Sequence, residues 1–300
     1  MSIGRDKVKG ILLVLLASAF WGGSGTLTKI LKMRGSDIYD IFAWRYLFGL
    51  ASLGALRLVF QRGQSLALEG RALRMTLFSA FVILTVSGTF ILSNFYTTIA
   101  NAIALSFTAP IFAAVLGWLF LGERIKPLHQ LAIAAGIAGV FVIVFQRNPA
   151  AGEEVYLGSN LSLGNILALV SGVTFGGYFV LARKFAVQHG EVAKSTFWQF
   201  LFLTVLLAPV TVFTLFRGIS TVNYFYLLVF GVFCTAVPLL LVNLSGNFLK
   251  AHEMSIVSLS EVPISILLGM ALLNEVPSLV VWDGVVPIIS AAFLVAAKER

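Results

Sequence analysis

Apolar residues run along this chain in long blocks, not in the narrow stripes of amphipathic helices. One block covers Ile11 to Ile30 and another Ala132 to Phe145. A helix of about 20 residues rises roughly 30 Å, the thickness of a bilayer's hydrocarbon core. Ten segments meet that length, at roughly 10–31, 38–59, 73–93, 97–121, 127–146, 161–183, 193–216, 222–245, 252–273 and 279–297. The polar breaks between them are short. The longest runs from Gln146 to Asn160, halfway along the chain, and carries Pro149, Gly152, Glu153 and Glu154. The pattern predicts an all-α membrane protein of ten transmembrane helices.

The two halves repeat each other. A shift of 154 residues (174 − 20) carries Phe20-Trp21-Gly22-Gly23 onto Thr174-Phe175-Gly176-Gly177. The same shift carries Lys29 onto Arg183 and Trp44 onto Trp198. With one-residue slips, Asn94-Phe95 falls on Asn247-Phe248, Pro110 on Pro263, and Leu121-Gly122-Glu123 on Leu273-Asn274-Glu275. The chain therefore divides into a first five-helix repeat at 1–148, an outer connecting loop at 149–160 and a second repeat at 161–300. Five crossings is an odd number, so the second unit enters the membrane inverted relative to the first. Ala17-Ser18-Ala19 after the basic Arg5, Lys7 and Lys9 imitates a signal-peptide cleavage site. The first segment has a repeat partner, however, so the expectation is that it is retained.

Charge placement gives an independent topology. With the N-terminus inside, the inner segments hold fifteen lysines and arginines and the outer ones five. The positive-inside rule then places both termini in the cytoplasm. Composition agrees with a membrane protein: 59% of residues are hydrophobic, 11% are charged, and the mean hydropathy is +0.96. The net charge of +8 is spread over short connections, which argues against a nucleic-acid surface. Cys234 is the single cysteine, so an intrachain disulfide is excluded.

Two charges fall well inside segments, Arg45 and Glu261. Each costs at least about 2.5–3.5 kcal/mol at that depth, so each is expected to face the bundle interior or a wet cavity. Arg45 lies about seven residues into the second segment, roughly 10 Å from its outer face. Its repeat mate is Gln199, and the mate of Glu261 is Thr108. One reading is a structural Arg45–Glu261 ion pair; the other is a solute site. A guanidinium suits a carboxylate. A carboxylate suits an amine, or takes up a proton, which makes Glu261 the candidate for proton coupling.

Ser258 and Ser265 share a helical face with Glu261, and Asn101 shares one with Thr108. Trp21, Trp44, Trp198 and Tyr178 sit deeper than an interfacial aromatic belt and are candidates for substrate contact. Pro110, Pro238 and Pro263 lie inside segments and are hinge candidates. Glu123 is expected to cap the helix that follows it. His129, His189 and His252 all fall at segment ends, and no phosphate-binding glycine loop appears, so no catalytic triad, metal cluster, nucleotide site or cofactor is expected.

Trp21-Gly22, Lys29, Arg45, Ala109-Pro110, Leu121-Gly122-Glu123 and the second copy ending in Pro263 and Glu275 resemble the EamA-like branch of the drug/metabolite transporter superfamily. The resemblance covers nearly the whole chain. Gln199 stands where a second arginine is expected, and Asn274 where a glycine is. The resemblance implies a two-repeat bundle in a bacterial inner membrane with a central cavity. It also implies translocation of a small molecule, often export of amino acids and related metabolites. With Arg45, Glu261 and the aromatics, the expected substrate is a zwitterion such as an amino acid, with protons a candidate co-substrate. The alternatives are an organic cation and, outside transport, a lipid scramblase or a membrane scaffold.

Overall fold

The computed structural model describes residues 2–60, 65–97, 99–144, 161–273 and 280–296. The expected connecting loop at 149–160 and Glu275 lie outside the described residues. The described residues form helices and short connections, with no strand among them. In chain order the helices are α1 (Ser2–Met33), α2 (Ile38–Phe60), α3 (Gly70–Tyr96), α4 (Ile99–Ser106), α5 (Ala109–Leu121), α6 (Pro127–Val144), α7 (Leu161–His189), α8 (Val192–Leu206), α9 (Ala208–Arg217) and α10 (Thr221–Gly231). A π turn over Val232–Ala236 leads into α11 (Val237–Ser245), followed by α12 (Ala251–Ser258), α13 (Glu261–Leu273) and α14 (Val280–Ala296).

By length and composition, six spans among the described residues can each cross a membrane, and the bent pair α8 and α9 is a seventh. The apolar helices α5, α6 and α14 are shorter. This is an all-α, multi-pass membrane protein. Several sequence segments expected to be continuous helices are broken. The fourth is α4 plus α5, interrupted at Phe107 and Thr108, and the ninth is α12 plus α13, interrupted at Leu259 and Ser260. The seventh bends by 57° between α8 and α9.

The prolines explain where these segments resume. Pro110, Pro209 and Pro263 stand in the first turn of α5, α9 and α13. There a missing N–H removes no intrahelical bond. Pro238 stands in the first turn of α11, one residue beyond the π turn, where the Thr235 hydroxyl donates to the Phe230 carbonyl five residues back at 3.1 Å. The hinge candidates thus occupy helix starts and a π-turn exit, while Pro287 is inside α14.

Glycines set the tightest contacts. A methyl group on Gly22 would lie 3.0–3.3 Å from Ile264, Ser265 and the Glu261 carbonyl, and one on Gly10 would strike Leu249 at 2.6 Å. α1 therefore runs parallel to α12 and α13. In the same way Gly164 meets Thr97 at 2.6 Å and Gly176 meets Ala109, Phe112 and Ala113 at 2.7 Å. α7 therefore runs parallel to α4 and α5. Gly139 and Gly136 on α6 face Gly284, Ile288 and Ala291 on α14, and this pair is antiparallel. The contacts keep their pattern when the halves are exchanged: α1 packs on α11 and α13, and α7 packs on α3 and α5.

Gly176 and Gly177 stand side by side and differ in one respect. A methyl group on Gly177 meets only Leu116 Cδ1, at an ordinary 3.7 Å. Gly176→Ala is expected to lose about 1–3 kcal/mol by overpacking, and Gly177→Ala to lose none. Thermal unfolding of the detergent-solubilised protein checks the difference.

Candidate functional site

Arg45 sits two turns into α2, half-buried. Its Nη2 donates to the Tyr46 hydroxyl at 2.9 Å and to Ser87 Oγ on α3 at 3.0 Å. The guanidinium lies over the rings of Tyr46 and Phe42, 4.7 and 5.3 Å from their centroids. Its Nε is buried with no hydrogen-bond partner. Among the described residues, the groups in contact with this guanidinium are neutral hydroxyls and aromatic faces.

Glu261 opens α13 at the break in the ninth segment. A carboxylate there faces the positive end of a helix dipole. Among the described residues its carboxylate accepts no hydrogen bond and joins no ion pair. No ion pair joins it to Arg45 either. The two charges nevertheless share a neighbourhood, because Cys234 in the π turn lies within electrostatic reach of both. Gly23 of α1 faces the same thiol, with its nearest approach to Cys234 Sγ at 3.7 Å from an added methyl.

The other candidate residues separate into packing roles and one polar network. The Tyr178 hydroxyl, fully buried, shares its proton between Asn243 Oδ1 at 2.9 Å and Gln199 Oε1 at 3.2 Å. Asn243 Nδ2 donates to Thr196 Oγ1 at 3.0 Å and faces Gln199 Oε1 at 3.4 Å. A small cavity next to this network is lined by Ser79, Ser195, Gln199 and Asn243 with apolar neighbours, and has room for about one water. Gln199 is thus engaged with its own half, while its mate Arg45 carries the unmatched charge.

Three of the five tryptophans tie one half to the other. Trp44 Nε1 donates to Thr214 Oγ1 on α9 at 3.0 Å, and Trp198 Nε1 donates to the Leu66 carbonyl at 2.8 Å. Trp21 meets its repeat mate Phe175 edge-on at 5.8 Å. Thr108 precedes α5 as its N-cap, and its hydroxyl donates to the Leu105 carbonyl. Ser258 and Ser265 likewise donate to their own helices, at the Ser255 and Val262 carbonyls. The expected serine stripe therefore does not hydrogen-bond Glu261. The side chains of Asn101 and Lys29 lie outside the described residues.

The profile of the EamA-like transporter family matches residues 8–145 and again residues 162–297. The chain belongs to the EamA-like transporter family. It is 27% identical over 306 residues to YicL of Salmonella typhimurium, described as an uncharacterized inner membrane transporter, covering 97% of this chain and 96% of that one. It is 24% identical over 200 residues to a riboflavin transporter of Rhizobium johnstonii, covering 66% of this chain and 62% of that one. In fold it superposes on the crystal structure of another protein with a TM-score of 0.74 at 17% identity, over 98% of this chain and 96% of that one.

A second polar cluster in this EamA-like transporter escaped the sequence reading. It lies where α1 begins. Lys7 pairs with Glu253 at 3.1 Å, and Arg183 pairs with Glu123 at 3.3 Å. His129 and His252, both fully buried, stand between the two carboxylates. Glu123 does not cap the following α6; its Oε2 accepts the Ala251 N–H at 3.0 Å and so caps α12 in the other half. Burial pushes the Glu123 carboxyl above its ordinary range, and the Ala251 N–H, Arg183 and Lys250 pull it back. The sequence signal was present: LGERIKPLH and LKAHE each bring a glutamate and a histidine to the same end of the bundle. At the opposite end Arg217 bonds Asp37 at 2.8 Å and Asp40 at 2.5 Å, tying α9 to the start of α2.

Asn243 holds three side chains at once, so its loss leaves buried partners unmet. Asn243→Ala is expected to cost about 1–3 kcal/mol, and Tyr178→Phe less, because Asn243 and Gln199 retain each other. Denaturation of the two variants in the same detergent measures the order.

Proposed function

We propose that this membrane transporter is a secondary carrier for an amino acid or related zwitterion, working by alternating access between two inverted five-helix units. One observation carries the substrate class. Arg45 and Glu261 both lie within electrostatic reach of Cys234 inside the apolar bundle, and neither has an opposite charge within ion-pair distance among the described residues. Unmatched charges at such depth mark substrate and ion pathways. A zwitterion supplies both missing partners, its carboxylate to the Arg45 guanidinium and its ammonium to Glu261. The double family match and the exchange-invariant helix packing support the inverted-unit reading.

Orientation with both termini in the cytoplasm rests on the lysine and arginine distribution, and a bacterial inner membrane is what the family resemblance implies. Export is the direction implied by the resemblance. Glu261 serves as the proton-coupling carboxylate, because an unpaired carboxylate alternates between a proton and an ammonium. An organic cation is the weaker reading: Phe42 and Tyr46, the aromatic faces nearest the site, already hold Arg45.

Flux into proteoliposomes tests the assignment. Arg45→Ala and Glu261→Gln are each expected to slow zwitterion flux at least about tenfold, since loss of 1.4 kcal/mol of binding is a factor of ten. Undiminished flux in both variants retires the site. A competition panel of amino acids, quaternary amines and riboflavin separates the substrate classes. Labelled lipid that moves without any solute marks a scramblase instead. A pH gradient that leaves flux unaltered removes proton coupling through Glu261.

A further inference from the structure

We propose that His129 and His252 form one proton-binding site, and that its extra proton clasps the two halves together at the end of the bundle where α1 begins. The proton site stands on geometry alone; its part in gating rests on the alternating-access reading above.

Five polar contacts form a continuous chain. Lys7 Nζ is 3.1 Å from Glu253 Oε1, which is 3.7 Å from His129 Nε2. His129 Nδ1 is 3.0 Å from His252 Nε2. His252 Nδ1 is 3.9 Å from Glu123 Oε2, and Glu123 Oε1 is 3.3 Å from Arg183 Nε. Lys7, Glu123 and His129 belong to the first half of the chain, and Arg183, His252 and Glu253 to the second. Every link in the chain therefore crosses between halves.

Counting protons gives the site its ligand. The imidazole–imidazole contact needs one N–H between the rings. The nitrogen facing Glu253 and the nitrogen facing Glu123 need one each. That is three protons on four ring nitrogens. Two neutral histidines carry two between them, so one carboxylate always faces a bare lone pair. One added proton completes all three contacts. The outer distances of 3.7 and 3.9 Å are longer than hydrogen bonds, so both have room to shorten when the third proton arrives.

The surroundings fit a single positive charge. Lys7 and Arg183 already balance Glu253 and Glu123, and Glu253 also accepts the Lys250 N–H at 2.8 Å. An imidazolium shut away from water is costly unless carboxylates face it; here one does at each end. Of the elements packed around the pair, α1 presents Lys7, and the turn before α6 presents Glu123, Arg124 and Lys126. α7 presents Arg183 and Lys184, and α12 presents Lys250 and Glu253. α5 and α11 carry no ionisable group, α13 carries Glu261 about two and a half turns past His252, and the described part of α14 carries only Asp283, near its far end. Lys250 Nζ is turned to the Arg124 carbonyl at 3.4 Å.

The sign follows from the proton count. At low pH the pair holds its third proton and both carboxylates are bound, so this end stays shut. As pH rises through the pair's titration, one cross-half contact becomes repulsive and the end is released. An unperturbed histidine makes this change within about pH 5 to 8, and one shut away from water makes it at lower pH.

The test uses the full chain in lipid nanodiscs with ¹⁵N-labelled histidine, titrated from about pH 8 to 3. His129 and His252 are expected to move with one shared midpoint, and His189 with a separate one. His252→Asn should abolish the shared transition. Glu123→Gln should shift it to lower pH, because an amide N–H can face the bare nitrogen. Spin labels on Arg124→Cys and Gln188→Cys, in a Cys234→Ser background, should give one short distance at the low end and a second, longer population at the high end. Independent titrations resembling that of His189, or no titration of either ring, overturn the proton site. A shared titration with unchanged distances overturns the clasp. A shared titration and distance change with no solute flux leave both standing and retire the transport reading.

Discussion

Backbone meets backbone at Gly22 and Gly176, and the rest of the molecule is arranged around those two approaches. α7 lies close enough to α5 that a single methyl group on Gly176 would collide with main-chain atoms, and α1 close enough to α13 that one on Gly22 would press on them at 3.1–3.3 Å. Lipid offers no hydrophobic drive to hold helices together, so close van der Waals contact has to do it. Because each contact joins one half to the other, neither half encloses its own core. The break that precedes Glu261 and the break that precedes Ala109 both lie beside these glycines. The same two approaches that bind the halves therefore also fix where the helices are interrupted and where polar groups enter the bundle.

Charge is handled differently at three levels. At the α1 end, Lys7, Glu123, Arg183 and Glu253 alternate across the interface with two imidazoles between them. At the opposite end Arg217 is held by Asp37 and Asp40. Between them, Arg45 is contacted by hydroxyls and rings and Glu261 by neither cation nor donor among the described residues. Compensation at the ends and its absence at mid-depth is the charge distribution expected of a carrier that closes on a charged solute.

Block hydrophobicity made the membrane class legible, and the twin Phe-Trp-Gly-Gly and Thr-Phe-Gly-Gly motifs revealed the internal repeat. Depth alone singled out Arg45 and Glu261. The breaks at Thr108 and Ser260 were not legible, since a proline inside an apolar run reads equally as a kink, a hinge or a fresh helix start. Depth marked Trp44 and Trp198 but does not report direction, and the sequence did not reveal that their indole N–H groups reach Thr214 and Leu66. The histidine cluster was hidden for a different reason. Its members are 123 residues apart in the chain, and each sits at a segment end, where a polar residue attracts no notice until the helices are assembled.

The indole anchors bear on how the chain is made. Synthesis delivers α1 to α6 to the bilayer before α7 exists. At that moment Trp44 has no Thr214, Gly22 has no α13, and Glu123 has no α12 N-terminus to cap. The early half is left as a loose raft whose unmet donors must wait on residues still inside the ribosome. A chain truncated before α7 would leave those groups permanently without their partners.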